Sequence, residues 1–428
     1  MTLEASLEAT LSAVRDDQWR MAQPFTIFRV PAYARERSRT SYEPRMVSIG
    51  PYYHGAAALR AMEDHKRRYL HDLLSRPDAV AVTASALVAE VRALEAQARA
   101  CYSERPAGMD SDDFVRMLLL DGCFILEFFF KWADRQPDVL CDAGWGHTLI
   151  ATDLVLMENQ IPFFVLERLY GAVFLLGDRS SLLRLIVEFI GREDEDPVRW
   201  PSGDWEVNHI LHLYYECFVP KRIPSSPPPA APPGRQNTRA PRVIPCAVEM
   251  SEAGVTFAVR RNVPGYDVAF DARRGVMETP AVLIDDERKP LLANLIAFEQ
   301  SLGSDEGEAI LLSSYVSLMG QLVVTARDVA LLRRRGVLEN MLANDDDAAR
   351  FFNHLGDCGA VNHDSHAFVG LYKDVDRYCG SWWRRRTVAL RRDYFASPWS
   401  AISFVAAAVA VVLAAMQTYF TMFPLNKG

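Results

Sequence analysis

The chain has 428 residues, half of them apolar, and a formal net charge of −8. That allows a substantial core and argues against a general nucleic-acid binder, whose footprint is a basic domain. Seven scattered cysteines with no Cys-x-x-Cys pair, and no Asn-x-Ser/Thr acceptor, fit reduced thiols and an unglycosylated body better than a disulfide framework.

Residues 1–23 place Leu3, Leu7, Leu11 and Val14 on one stripe, which predicts an amphipathic helix and not a secretory signal. A helical lobe is expected over 24–219. It opens on extended chain and turns rich in Pro, Gly and Tyr, over residues 24–55. A helix begins near Met62, with Glu63 spaced to pair with Lys66 or Arg67, and another runs from about Ala84 to Cys101. Two stretches are then apolar on nearly every face, Asp112–Trp132 with Ser111 or Asp112 as its cap, and Thr152–Gly171. Asp121, Glu127, Glu158, Asn159 and Gln160 interrupt them, so a membrane does not suit either one. They predict the middle of a helical core, with Leu182–Ile190 packed beside them.

Residues 220–241 contain eight prolines and read as a linker that cannot bury a core. Residues 242–395 change period. Val255–Val259, Tyr266–Phe270, Gly275–Glu278 and Ala281–Ile284 predict a small antiparallel sheet. Asp285 and Asp286 then cap a helix through Glu299, and further helices are expected over Ile310–Leu332, over Asp347–Leu355 and from about Val369.

Trp399 to Phe420 is a run of 22 residues with no Asp, Glu, Lys or Arg. At about 1.5 Å per residue a helix of that length reaches roughly 33 Å, enough to cross a bilayer's hydrocarbon core. Trp399, Tyr419 and Phe420 stand at its ends, where headgroup-level aromatics belong. The alternative is a buried Ala/Val helix of a soluble core. Arg384, Arg385, Arg386, Arg391 and Arg392 precede the run and only Lys427 follows it. The positive-inside rule therefore places the body in the cytosol. Ser403, Ala407, Ala410, Ala414 and Gln417 recur at heptad spacing as a seam of small or polar residues, suited to a second copy or another membrane helix. The fold class is thus mainly α: a helical body with a small antiparallel sheet insertion and one C-terminal transmembrane helix.

The phrases IFRVP, VSIGPYYHG, MEDHKRRYL, LLLDGCFILEFFF, DLVLMENQIPFFVLERLY, AGVTF, NLIAFEQ, RYCGSWW and YFASPWSAIS occur in this order from about Ile27. In that order the chain resembles the plant domain-of-unknown-function 247 family, also called UPF0481. Tyr53 stands where the family pattern leads one to expect a histidine before His54. The resemblance implies a plant protein with one C-terminal span and carries no catalytic residue or cofactor. Some grass members are associated with self-incompatibility loci, which implies a recognition or signalling role.

Chemistry-bearing residues are sparse. Asp121 and Glu127 lie about 120° apart around one helix and do not form an acid/base pair from it alone. Glu158, Asn159 and Gln160 precede Pro162, and buried polar groups bonding the backbone at a proline break account for them. His354, Cys358, His363 and His366 offer metal-donor chemistry without a Cys-x-x-Cys or His-Glu-x-x-His scaffold. His54, His65, Tyr52, Tyr53 and Lys66 form the densest polar-aromatic cluster and read as a hydrogen-bonding knot. No nucleophile elbow, phosphate loop or kinase motif is present. Two readings follow: a membrane-tethered recognition protein without catalysis or cofactor, and an enzyme of unfamiliar type using Glu158 or His65 in a helical pocket.

Overall fold

A computed structural model describes residues 3–4, 7–8, 11, 25–77, 79–106, 108–174, 177–192, 196–221, 241–261, 263, 265–302, 310–356, 366–380 and 409–418. Two short helices, α1 (Ala32–Arg37) and α2 (Arg39–Tyr42), lie within the otherwise extended N-terminal stretch. Next come α3 (Met62–Leu74), α4 (Ala84–Ala100), α5 (Ser111–Ala133), α6 (Val139–Asp142) and α7 (Gly146–Leu154). The lobe closes with α8 (Phe163–Val173), α9 (Arg179–Ile190) and α10 (Ile210–Phe218). After the proline-rich segment the chain forms α11 (Ala247–Glu252), β1 (Thr256–Val259), β2 (Ala269–Asp271), β3 (Val276–Thr279) and β4 (Val282–Ile284). The remaining elements are α12 (Arg288–Ser301), α13 (Leu311–Leu322), α14 (Ala326–Arg334), β5 (Leu338–Asn340), α15 (Asp345–Gly356) and α16 (Val369–Cys379). A last helix, α17, spans Val409–Thr418.

α5 organises the body. Its cap is Asp110, whose carboxylate accepts the Asp113 amide at 2.8 Å, one residue earlier than Ser111 and two earlier than Asp112. The helix buries 16 of its 23 residues, because α3, α4, α8 and α9 all pack against it. Tyr69 of α3 stacks on Phe128, and Phe189 of α9 meets Phe128 and Phe129. Buried apolar residues from Ile27 to Cys379 form one continuous cluster, so the segments on either side of residues 220–241 share a core.

The structure corrects the sequence reading in three places. Thr152–Gly171 is not one helix: α7 ends at Leu154, and α8 starts only after Pro162. Proline has no amide to donate and disfavours a helical residue before it. Ile310–Leu332 is also broken, into α13 and α14 at 104°. There Thr325 and Asp328 form a capping box, the Thr325 amide and hydroxyl donating to the Asp328 carboxylate at 2.9 and 2.7 Å. Finally, the sheet is mixed and not antiparallel. Its order is β1-β3-β2, with β2 and β3 antiparallel across a tight turn and β1 parallel to β3. β4 stands apart and pairs in parallel with β5, a strand the sequence did not suggest.

Every residue of α17 is exposed. No single helix among the described residues is long and apolar enough to cross a membrane. α17 covers part of the Trp399–Phe420 run, including Ala410, Ala414 and Gln417. Both ends of that run, Ser403, Ala407 and the arginines Arg384, Arg385, Arg386, Arg391 and Arg392 lie outside the described residues, as do most of the stretches 1–23 and 220–241. Of the N-terminal stripe, Leu3, Leu7 and Leu11 are helical and exposed.

Candidate functional site

The polar residues inside this core form a brace that ties the extended stretch 25–55 to the helices. Lys66 enters from α3 with its side chain fully buried. Its ammonium meets the Asp121 carboxylate of α5 at 2.6 Å and Glu63 at 2.7 Å, and donates to the Ser48 carbonyl at 2.7 Å. Burial alone would lower the lysine pKa, but Asp121 and Glu63 outweigh it and hold the ammonium charged. The other Asp121 oxygen accepts the Gly50 amide at 2.8 Å.

Gly50 is required where it stands. Its φ is +77°, and a Cβ there would lie 2.3 Å from the Gln160 carbonyl oxygen.

The break between α7 and α8 supplies the rest of the brace. Asp153, at the end of α7, accepts the amides of Arg45, Met46 and Val47 at 2.7–3.0 Å. Burial pushes its pKa up to about 6 against those three bonds. Asn159 accepts the Ile49 amide at 2.7 Å and donates to the carbonyls of Val47 and Asp153. Gln160 donates to the carbonyls of Leu154 and Leu156. Glu158 accepts the Val30 amide at 2.9 Å, the Tyr53 hydroxyl at 2.8 Å and the Arg35 guanidinium at 2.9 Å. Asn294 of α12 completes the set, accepting the Met157 amide and donating to the Ser41 and Pro290 carbonyls. Irregular backbone buried in a core needs such partners for its amides and carbonyls, and these side chains supply them.

A second ion-pair group lies further along α3 and α5. Arg68, Tyr69 and Lys131 converge on Asp138, and Lys131 also meets Asp72 at 2.6 Å. Arg76 bridges Glu127, at 3.3 Å, and Asp134. Burial raises the Glu127 pKa to about 7, opposed by the Arg76 and Lys131 charges.

Glu158, Glu127 and His65 have no partner in common among the described residues. Glu158 is committed to Arg35 and Tyr53, and Glu127 to Arg76. His65 is half-buried and His54 exposed, and neither imidazole hydrogen-bonds within the described residues. The expected knot therefore holds Lys66 and Tyr53, bonded to different carboxylates, and leaves the two histidines out. Tyr52 instead packs edge-on to Tyr102 beneath the Arg29 guanidinium.

Of the four metal-donor candidates, His354 is exposed on α15, and Cys358 and His363 lie outside the described residues. His366 is buried against Phe368 and Tyr372, its Nδ1 accepting the Phe368 amide at 3.1 Å. Among the described residues no group of three His, Cys, Asp or Glu is placed to hold a metal ion. Sequence reasoning passed over Asp153 and Asn294, yet both carry a legible signal, a polar side chain set inside an otherwise apolar run.

A helical body that clasps its own extended N-terminal strap through buried carboxylates and amides is the class of protein this architecture defines. The chain belongs to the DUF247 family of plant proteins of unknown function, whose model matches residues 27–413. It is 28% identical to a UPF0481 protein of Arabidopsis thaliana over 412 residues, 92% of this chain and 85% of that one. A putative UPF0481 protein of the same plant is 24% identical, over 93% of this chain and 90% of its own length. No solved structure matches the chain.

Proposed function

We propose that the protein is a membrane-anchored recognition or signalling component of plant cells, a non-catalytic body held at a bilayer by one C-terminal span, Trp399–Phe420. The observation that carries this reading is α17. Its ten residues are all exposed, and Val409, Val411, Val412, Leu413 and Met416 are each more than half exposed. A soluble core helix would hide such side chains, whereas a lipid-facing one leaves them outside the protein. The run without charges on either side of α17 extends it to bilayer length. Arg384, Arg385, Arg386, Arg391 and Arg392 favour a cytosolic body. Ser403, Ala407, Ala410, Ala414 and Gln417 offer a face for a second span. The non-catalytic half rests on the brace, where the buried carboxylates are spent on backbone amides and cations. The recognition half rests on the association of some grass relatives with self-incompatibility.

The test is alkaline carbonate extraction of membranes carrying the full chain, followed by protease treatment of cytosolic-side-out vesicles. The chain should stay in the membrane pellet and its body should be digested. Release by carbonate would sink the anchor, and a fully protected body would reverse the orientation.

A further inference from the structure

We propose that the β2–β3 turn is a headgroup-binding edge that lays the body against an anionic bilayer through Arg273 and Arg274, an inference that rests on the anchored reading above. The turn is stiff. The Asp271 carboxylate accepts the amides of Arg273 and Arg274 at 2.9 and 3.1 Å, and its carbonyl accepts the Gly275 amide at 2.7 Å. Gly275 has φ +68° and sits directly under the Tyr378 hydroxyl, so that a Cβ there would lie 2.0 Å from it. With its carboxylate engaged by the backbone, Asp271 leaves both guanidinium groups exposed. Neither makes an ion pair or side-chain hydrogen bond within the described residues.

Position makes these arginines more than solvated charge. Tyr378 belongs to the last turn of α16, packs edge-on against Phe270 of β2 at 5.5 Å, and stands two residues before Gly380. In sequence Gly380 precedes the apolar run, so this turn packs against the last described helix before the proposed anchor. The charge also goes against the whole, since the chain is acidic at −8. An exposed basic pair beside that helix is complementary to an anionic leaflet, which attracts basic side chains within a Debye length.

The fold provides an internal control. Arg334 and Arg335 are also exposed, but the turn they occupy ends at Gly336, which faces Val259 at the other end of the four-residue β1. The Gly275 carbonyl, by contrast, accepts the Thr256 amide at the near end.

The full chain is reconstituted into nanodiscs of phosphatidylcholine alone or with phosphatidylglycerol, and phenylglyoxal modification of each arginine is followed by mass spectrometry. Headgroup contact should slow modification of Arg273 and Arg274 by roughly fivefold or more in the anionic discs. The slowing should vanish at high salt, and Arg334 and Arg335 should react alike in both discs. Equal rates at Arg273 and Arg274 in the two lipids, or equal slowing at Arg334 and Arg335, would overturn the proposal. Protection by inorganic phosphate in neutral discs would also overturn it, in favour of a free-anion site. A chain that fails to remain in the discs through alkaline wash overturns the anchor itself, a result distinct from the other three.

Discussion

α5 and α17 are the two most telling helices, and their fates are opposite. α5 is apolar on nearly every face and buries 16 of its 23 residues, whereas α17, equally apolar, buries none of its ten. The difference lies in the polar residues between the apolar ones. α5 carries Asp121, Glu127 and Lys131, each answered by an opposite charge from α3, its C-terminal extension or the α6 cap. Such charges are tolerated in a protein interior that supplies partners, and are costly in lipid. α17 carries no charge, and all ten of its residues are exposed. Hydrophobicity alone does not separate the core helix from the proposed anchor, whereas partnered charge does.

The sharpest test of the comparison removes one of those partners. Asp121→Leu removes the fully buried one of the two carboxylates that hold the Lys66 ammonium and should cost about 3–5 kcal/mol, read as a lower urea midpoint of the full chain in detergent. Adding Lys66→Met should recover part of the loss. A single substitution costing well under ~1 kcal/mol would mean the pair is not desolvated as described.

Truncations contrast the two helices' surroundings directly. Phe163→Ala in α8, which packs against α5, and Leu156→Ala, buried in the break between α7 and α8, should each cost roughly 2–5 kcal/mol. Val412→Ala in α17 should leave the body's unfolding midpoint unmoved. Equal losses at Leu156 and Val412 would place α17 in the core after all.

The strap's close approach is next. Gly50→Ala meets both the positive φ and the Gln160 carbonyl, and should cost roughly 1–3 kcal/mol or unfold the strap, visible as faster amide exchange over residues 45–50.

The buried carboxylates give the chain a pH dependence of definite sign. Asp153 and Glu127 have folded pKa values of about 6 and about 7, above the ordinary 3.8 and 4.5. Between the ordinary and the folded values the native state holds protons that the unfolded chain has released. Their contribution to stability therefore falls as pH rises from about 4 to about 7. Urea midpoints across that range should show the decline, and Glu127→Gln should flatten its upper part.

The smallest expected effect belongs to the proposed span. If α17 uses Ala410 and Ala414 as a seam, Ala410→Leu weakens self-association of the chain by about 0.6–2 kcal/mol in a membrane-dimerisation assay, and Val409→Leu does not. Identical signals from parent and both variants would leave the alanines without a partner.

Much of this could be read in the chain itself. Where one signal acted alone, the reading held: α4 begins at Ala84, α16 at Val369, and α5 lies within a residue of the apolar run Asp112–Trp132. The expectation that Glu158, Asn159 and Gln160 bond the backbone at the proline break is met by Gln160 and by Asn159 on the Asp153 carbonyl, whereas Glu158 serves the distant strap at Val30. Such readings rest on local physics, because periodicity, caps and proline act within one turn of the residues that carry them.

Tertiary structure decided the rest. Nothing local makes β1 parallel to β3, or pairs β4 with Leu338–Asn340, since sheet order depends on how distant segments close over the core. The break of α13 from α14 hid in a sequence apolar on both sides, where only the Thr325–Asp328 box marks it. The sequence by itself determined that the chain has a helical core and a charge-free run over Trp399–Phe420. Which carboxylate meets which cation is a matter of three-dimensional packing. Asp121 meets Lys66 across 55 positions, and Asn294 reaches Ser41 across 253. Burial makes each such pairing obligatory, because an unpaired charge or amide inside the core costs more than the chain's marginal stability allows.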